Sequence, residues 1–275
     1  MKIGLALGGG GARGLAHIPM LEAFDELGLK PAVIAGSSMG ALIGAAYAGG
    51  MSGRELREHA TKLLSNRMDM ARHVFGAKQT KIGDIFSLKG LMSLQLDGQK
   101  LVDIALPDHL PQNLEEFSIP LKVVVTDFEL MEEVVLTSGP VLQALGASIA
   151  VPGLIAAPRI NGRIHVDGGV KNPVPFNHAT EGMDIVVAVD VTGRTRPITK
   201  AQPSNLELAV GSILIMFHEL ADLRRAQAPP DIYISPAVDQ FSSGDFFKVK
   251  EIFAAAAESK DRLKKSLELR IKSLA

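Results

Sequence analysis

The 275-residue chain contains no cysteine and has no tract rich in lysine and arginine. The lack of cysteine excludes disulfide bonds, thiolate metal sites and cysteine nucleophiles. A net charge of −1 without a basic tract argues against nucleic acid as a partner. Any nucleophile in this chain is therefore not a thiol.

Long hydrophobic runs are also missing. A membrane span needs about 20 mostly apolar residues, and the two uncharged stretches, 31–53 and 134–158, are interrupted by Gly, Ser and Pro. The N-terminal "MKIGLALGGGG" is too short in its apolar part for a secretory signal. We expect buried structure in both stretches and a cytoplasmic protein, with peripheral membrane contact as an open alternative.

Strand-like apolar segments alternate with helical patterns along the chain. Hydrophobic residues make up 47% of it, which allows a sizeable core. Ser52 and Glu55 form a capping box that predicts a helix to about Leu64, whereas residues 66–100 are predicted to mix loop with short helices. The alternation predicts one domain, 1–275, built as an α/β sandwich with a largely parallel sheet. Strands are predicted at "KIGLAL", "PAVIAG", "LKVVVTDF", "EEVVLTS", "GRIHVDGG", "DIVVAVDV" and "DIYIS", and helices at "HIPMLEAFDELG", "MGALIGAAYAGG" and about 206–225.

The C-terminal segment, 248–275, is predicted as one long amphipathic helix. It carries eight Lys/Arg against four Asp/Glu. A basic amphipathic helix lies on an anionic membrane surface, on its own domain or on a second subunit, and the sequence leaves these three open. The apolar stripe consists of Ile252, Ala256, Leu263, Leu267, Ile271 and Leu274.

The segment "LGGGGARG" joins the first predicted strand to the first helix. Gly9, Gly11 and Gly14 fit G-x-G-x-x-G, but the second strand ends in "AGSS" without the acidic residue that a dinucleotide site needs, and no Lys-Ser/Thr follows Gly14 for a P-loop. Glycine amides at a helix start can instead bind a small negative charge, so Gly9, Gly10 and Gly11 are predicted to form an oxyanion hole. Arg13 is predicted to belong to the oxyanion hole with these glycines, where it fixes the loop or attracts an anionic group, and an ordinary ion pair is the alternative.

Ser38 is the centre of a G-x-S-x-G sequence, Gly36 to Gly40. This motif has physical meaning where a strand, a sharp turn and a helix follow one another, because the serine then projects from the turn and the helix start faces the substrate. "PAVIA" before the motif and "ALIGAAYA" after it predict that setting. Ser38 is thus the predicted nucleophile, and Ser37 is its structural neighbour.

The base that takes the proton of Ser38 is less obvious, because no histidine lies near it in the chain. A triad hydrolase follows the order Ser, Asp/Glu, His. His178 and His218 come late enough in the chain for that order, but neither lies in a glycine-containing loop that follows a strand. His17 is close to the glycine loop and His165 lies within a strand. Each of these is predicted to be structural.

Three aspartates lie at or near the ends of predicted strands, where α/β sheets place their sites. They are Asp127, Asp167 and Asp190. Asp167 precedes Gly168 and Gly169, which permit a tight turn and close approach of another backbone. A carboxylate serves as base for a hydroxyl if burial raises its pKa and an oxyanion hole lowers the barrier. The sequence favours Asp167 without excluding the other two.

Taken together, these motifs resemble those of the patatin-like phospholipases. That family combines a glycine-rich oxyanion loop, a G-x-S-x-G elbow and a D-G-G/A loop, which here are Gly9 to Gly14, Gly36 to Gly40, and Asp167 to Gly169. "ASIAVPGLIAAP", residues 147–158, also resembles a family segment, and the resemblance spans about residues 2–192. It implies a three-layer α/β/α fold and a Ser–Asp dyad without histidine, with Ser38 as nucleophile and Asp167 as base.

The resemblance implies hydrolysis of acyl esters of lipids, with no metal or cofactor. Acyl transfer and a regulatory binding protein that retains the site are the alternatives, and a homo-oligomer is left open. The apolar segment "IFSLKGLMSLQL", residues 85–96, borders the mouth of the site or packs in the core. One departure concerns Pro19, which lies inside the first predicted helix and is expected to delay its start to about Ile18.

Overall fold

The computed structural model describes residues 1–65, 96–194 and 204–274, which contain eight strands and eight α-helices. Most of the segment predicted as loop with short helices lies outside these residues. The strands are β1 (Ile3–Leu7), β2 (Val33–Ser37), β3 (Leu121–Asp127), β4 (Glu132–Leu136), β5 (Arg159–Ile160), β6 (Arg163–Asp167), β7 (Ile185–Val189) and β8 (Ile232–Ile234). The helices are α1 (His17–Glu26), α2 (Met39–Ala48), α3 (Gly53–Leu64), α4 (Gly98–Ala105), α5 (Val141–Ser148), α6 (Asn205–Gln227), α7 (Val249–Ala255) and α8 (Ala257–Leu274).

The strands form one mostly parallel sheet. β8, β7, β1, β2 and β3 are neighbours in that order and pair in parallel. β4 and β6 each pair antiparallel with β3, and β5 pairs antiparallel with β6. All residues of β1, β2 and β7 are buried, as expected for parallel strands covered on both faces. The predicted α/β class with a largely parallel sheet is confirmed.

β2 and β6 pair with successive parts of the same side of β3, opposite β4. β2 runs parallel to β3, and its last residue, Ser37, is the partner of Val124. β6 runs antiparallel to β3, and its last residue, Asp167, is the partner of Val125. The carboxyl ends of β2 and β6 therefore meet head-on. This register brings the residue that follows β2 next to Asp167.

Helices cover both faces of the sheet, as the three-layer arrangement requires. On one face, side chains such as Leu5 and Val187 pack in a large apolar cluster with α1, α2, α3, α5, α7 and α8. On the other face, Ala6 and Ala188 belong to a smaller cluster that includes Ala221 of α6. Successive side chains along β1 and β7 point to opposite faces of the sheet, so each strand contributes residues to both clusters.

The glycine loop leads into α1 through a 3₁₀ turn, Gly11–Ala16. α1 begins at His17, close to the start expected from Pro19. Pro19 lies in the first turn, where backbone N–H groups have no partner within the helix, so its missing N–H removes no helical hydrogen bond. α3 begins with the predicted capping box of Ser52 and Glu55.

The C-terminal segment is two helices, so the prediction of a single helix was wrong. The helix is interrupted at Ala256, between α7 and α8, and the two helices have different partners: α7 packs on the 3₁₀ turn and α8 packs on α1 and β8. Ile252, Ala256, Leu263 and Leu267 are fully buried. These four residues of the apolar stripe therefore dock on their own domain and are not available to a membrane or a second subunit, whereas Leu274 at its end is 49% exposed.

Ion pairs fix α8 on α1. Lys260 Nζ lies 3.2 Å from Glu22 Oε2 and 2.5 Å from Glu26 Oε1, and Lys264 Nζ lies 2.8 Å from Glu26 Oε2. The positive charge that suggested an anionic membrane surface is thus partly neutralised by acidic residues of the same domain.

α6 is the longest helix in the described residues, with 23 residues. It begins with a second capping box, formed by Ser204 and Glu207. Its Phe217 packs over Gly169, immediately after β6. Neither α6 nor another helix in the described ranges is both long and apolar enough to cross a membrane.

Candidate active site

Ser38 occupies the sharp turn between β2 and α2. Its backbone has φ 53° and ψ −125°, a left-handed conformation that is rare for a residue with a side chain. The flanking glycines leave room for this turn. A Cβ on Gly36 would lie 2.5 Å from Ala41 Cα, and one on Gly40 would lie 2.0 Å from the carbonyl oxygen of Leu7. The turn projects the Ser38 side chain beyond the end of β2.

The Ser38 hydroxyl contacts the carboxylate of Asp167, 129 residues away in sequence, and donates to Oδ2 at 2.6 Å. The Gly169 N–H donates to the other carboxylate oxygen, Oδ1, at 2.7 Å. The backbone of Asp167 is held on both sides, since its N–H donates to Ala150 O and its carbonyl accepts from Thr126 Oγ1, both at 3.0 Å. The carboxylate therefore faces Ser38 in a fixed orientation.

Gly168 and Gly169 make the close packing after Asp167 possible. A Cβ on Gly168 would lie 2.2 Å from the carbonyl oxygen of Val124, and one on Gly169 would lie 2.3 Å from Phe217 Cε2. Substitution at either glycine would displace the turn that carries Asp167.

Asp167 is fully buried, and Ser38 is only 6% exposed. Burial raises the pKa of Asp167 to about 7, although the hydrogen bonds from Ser38 and Gly169 act to lower it. A carboxyl group with a pKa near neutrality can both accept and return a proton near that pH. This pair of side chains therefore has the proton-transfer chemistry that a serine nucleophile needs.

The glycine loop packs against Ser38, and a Cβ on Gly9 would lie 3.1 Å from Ser38 Cβ. The Gly9 N–H donates to Pro173 O at 2.9 Å and is already occupied, contrary to its predicted role as an oxyanion donor. Within the described residues, the N–H groups of Gly10 and Gly11 have no acceptor, and both glycines line the cavity that contains Ser38. The loop thus offers these two amides to a ligand.

Gly14 ends the motif at a close contact between the loop and α2. A Cβ there would lie 2.5 Å from Met39 Cβ. Met39 follows Ser38 directly, so this glycine lets the loop approach the turn that carries the serine.

Arg13 does not line the cavity, so the structure does not support its predicted place in the oxyanion hole. Its side chain is buried against the backbone of Gly193, where a Cβ would lie 2.4 Å from Arg13 Nη1. Burial lowers the pKa of Arg13, while Asp239 and Asp190 act to raise it. Of the three interpretations of Arg13, fixing the loop fits this position best.

Ser148 contacts Ser38 directly, although the sequence predicted no role for it. The Ser38 N–H donates to Ser148 Oγ at 2.9 Å, and Ser148 Oγ donates to Val124 O at 2.7 Å. Ser148 is fully buried. It connects the strained turn to β3 and satisfies two buried backbone groups. Its position in "ASIAVPGLIAAP" was the one sequence signal that could have pointed to it.

Replacement of Ser148 by alanine is expected to lower the free energy of unfolding by about 1–3 kcal/mol, because a buried N–H and a buried carbonyl lose their partner. Ser37→Ala is a matched control. Ser37 is equally buried, but its Oγ has no hydrogen-bond partner among the described residues, so its loss is expected to cost little. Urea denaturation of both variants measures the difference. Equal losses would contradict the bridging role of Ser148.

The other two candidate aspartates have partners elsewhere. Asp127 Oδ2 lies 2.6 Å from Arg163 Nε, and its Oδ1 accepts two backbone N–H groups of the following turn. Asp190 accepts from the backbone N–H and hydroxyl of Thr192 and from the Tyr233 hydroxyl. Neither carboxylate is hydrogen-bonded to Ser38. The geometry thus selects Asp167 from the three candidates.

None of the histidines in the described ranges is hydrogen-bonded to Ser38 or Asp167, and His73 lies outside those ranges. His17 is buried beside the glycine loop, with Nε2 2.8 Å from Gly8 O, and burial lowers its pKa to about 4. It is therefore neutral at pH 7 and donates to that carbonyl. The remaining contacts are His59 with Ala105 O, His165 with Arg163 O, His178 with Glu133 and His218 with Thr192 and Asp222.

Ser38 and Asp167 border a cavity of about 610 Å³, within the size range of small-ligand sites. Its walls are almost entirely apolar side chains from α1, α2, α3, α4 and α6 and from the segments near them. Leu96, the end of the apolar segment 85–96, is one of the lining residues, and the rest of that segment lies outside the described residues. Such a cavity suits a hydrocarbon chain.

Among the residues that the structure describes, no cluster of three or more His, Cys, Asp or Glu side chains could hold a metal ion.

The fold and site define an α/β protein with a serine and a buried carboxylate beside a glycine loop. Residues 5–180 match the sequence model for the patatin-like phospholipases. NTE family proteins of Mycobacterium bovis and Mycobacterium tuberculosis, both named as uncharacterized, are 34% identical over 207 residues, covering 74% of this chain and 53% of theirs. The chain thus spans about half the length of these relatives. It belongs to the patatin-like phospholipase family.

More distant relatives include a lysophospholipase, NTE1 of Phaeosphaeria nodorum, which is 26% identical over 280 residues, covering 92% of this chain and 18% of that protein. Among solved structures, VipD from Legionella pneumophila aligns with a TM-score of 0.47 and 17% identity, covering 96% of this chain and 66% of that one.

Proposed function

We propose that this chain is a serine-dependent hydrolase that cleaves acyl ester bonds of lipids. The observation that carries the proposal is the 2.6 Å hydrogen bond from Ser38 to the buried Asp167, at the wall of an apolar cavity. Membership of the patatin-like phospholipases and similarity to proteins named lysophospholipases support a lipid substrate.

In the first step, Ser38 Oγ attacks the ester carbonyl carbon while Asp167 Oδ2 takes the hydroxyl proton. The carbonyl oxygen becomes negatively charged and accepts hydrogen bonds from the Gly10 and Gly11 N–H groups, which have no other acceptor among the described residues. The C–O bond to the alcohol then breaks, and Asp167 returns its proton to the leaving oxygen. The products are a free alcohol and an acyl group on Ser38.

In the second step, water attacks the acyl group with Asp167 again as the base. The bond to Ser38 Oγ breaks, the serine regains a proton, and the fatty acid leaves. Ser38 and Asp167 are almost completely shielded from bulk solvent, which strengthens the electrostatic interactions that these steps use.

Fatty acid release from a panel of substrates tests the proposal. The panel contains p-nitrophenyl esters of increasing chain length, a lysophospholipid, and vesicles of a diacyl phospholipid. Wild-type protein is expected to release fatty acid from at least one lipid substrate, and Ser38→Ala from none. A wild-type protein that is folded but inactive on every substrate would contradict the proposal.

The rate of ester hydrolysis is expected to rise with pH through about 7. Asp167 must be ionised to accept the proton of Ser38, and its pKa is raised by burial to about 7. Below that pH the carboxyl group is protonated and cannot act as base. A pH profile of kcat/KM for a short ester checks this, and a rate that stays constant from pH 5 to pH 9 would exclude Asp167 as the base.

A further inference from the structure

The cavity runs from Ser38 along one face of α2. The lining residues of this helix are Met39, Leu42, Ile43 and Ala46, at the spacing of a single helical face. Ser38 is the N-cap of the same helix. The reacting serine and this apolar face therefore belong to one rigid element.

Ala46 is the last residue of α2 that lines the cavity among the described residues. Gly49 is the next residue on this face, and a Cβ there would lie 2.3 Å from Leu110 Cδ2 and 3.3 Å from Phe117 Cε1. Both side chains are buried, at 7% exposure each, and neither lines the cavity. Leu110 and Phe117 thus fill the space along α2 that a longer ligand would need.

The side walls of this part of the cavity come from α3 and α4. Apolar side chains of both helices line it, and His59 of α3 is hydrogen-bonded to Ala105 O at the end of α4, with Nε2 and O 2.8 Å apart. Ala46 is 4% exposed and presents a methyl group where a larger side chain would enter the cavity. Position 46 therefore controls how much of the cavity is open.

We infer that this face of α2 binds the acyl chain of the substrate and that Ala46 limits the chain length. The inference rests on the proposed ester hydrolysis at Ser38. The eight steps along the helix from Ser38 to Ala46 span about 12 Å at a helical rise of about 1.5 Å per residue. A C–C bond of about 1.52 Å at an angle of about 111° advances an extended chain by about 1.25 Å, so about ten bonds reach position 46.

The test is the ratio of kcat/KM for a long-chain and a short-chain p-nitrophenyl ester, such as laurate and butyrate. Ala46→Phe is expected to lower this ratio by about tenfold or more, because each methylene that loses its place in an apolar site is worth about tenfold or more. Ala46→Val is expected to lower it less. Ala254→Phe is the matched control, since Ala254 is exposed and does not line the cavity, and its ratio is expected to equal that of wild type.

The possible failures are distinguishable. If neither wild type nor Ala254→Phe hydrolyses either ester, the result contradicts the proposed function itself. Active Ala46→Phe with an unchanged ratio would overturn the inference and leave the proposed function intact. Where thermal denaturation shows that Ala46→Phe is unfolded, the smaller Ala46→Val decides, and an unchanged ratio in that variant overturns the inference.

Discussion

Replacing Ser38 with alanine is expected to lower the rate of ester hydrolysis by about 10⁴-fold or more. Among the described residues, the variant loses the only hydroxyl that is hydrogen-bonded to the Asp167 carboxylate. The amides of Gly10 and Gly11 remain, but they have no covalent intermediate to stabilise. Initial rates with a short chromogenic ester, at equal concentrations of folded protein, measure the loss.

Ser37→Ala is the control for this measurement. Ser37 is the neighbouring buried serine, and within the part of the chain that the structure describes its hydroxyl has no hydrogen-bond partner. Its replacement is expected to leave the rate within a few-fold of wild type. If the two alanine variants lost activity equally, the turn as a whole, rather than the Ser38 hydroxyl, would account for the effect.

Replacing Asp167 with asparagine is expected to lower kcat/KM by about 10²–10⁴-fold, the usual contribution of a general base. The amide has the same shape as the carboxyl group and can still accept from the Gly169 N–H, but it cannot take a proton from Ser38. The residual activity is therefore expected to lose the rise through pH 7. Retention of that rise in Asp167→Asn would mean that another group is the base.

Asp167→Asn is expected to lower activity but to raise the free energy of unfolding at pH 8. The pKa of Asp167 is raised in the folded protein to about 7, against about 4 in an unfolded chain. Its contribution to folding is thus fully present below pH 4 and is lost as the pH rises to 7 and above. The asparagine of Asp167→Asn does not ionise, so this variant does not lose stability at position 167 as the pH rises. At pH 8 it is expected to unfold at a higher urea concentration than wild type, which also shows that reduced activity is not due to misfolding.

The principal residues of the candidate site could be predicted because their local sequences carry backbone requirements. Gly36 and Gly40 relieve crowding around a left-handed Ser38, and Gly168 and Gly169 allow close packing after Asp167. These requirements exclude almost every residue except glycine, so they are visible in the sequence. The catalytic roles of Ser38 and Asp167 remain predictions until activity is measured.

What could not be predicted depends on partners that are distant in sequence. Gly9 differs from Gly10 because Pro173 O, far along the chain, accepts its N–H. Ser148 lies 110 residues from Ser38, whose backbone N–H donates a hydrogen bond to the Ser148 hydroxyl. Arg13 is buried against Gly193, and position 13 alone left open whether it fixes the loop, attracts an anionic group or forms an ion pair. No local pattern encodes these contacts.

The interruption of the helix at Ala256 has a similar origin. The helical pattern of the C-terminal segment continues through this residue, and no proline or glycine interrupts it. The break arises because α7 and α8 pack on different elements of the domain. Tertiary packing therefore overrode a continuous local preference.

Mass spectrometry of the protein after reaction with an alkyl fluorophosphonate tests the central claim most directly, because this reagent modifies activated serines. We predict one adduct per chain on the peptide that contains Ser38, with fragment ions that assign it to Ser38 rather than Ser37. The adduct is expected to be absent in Ser38→Ala and to form more slowly in Asp167→Asn. An adduct that persists in Ser38→Ala, or that maps to another residue of the wild-type protein, would contradict the account.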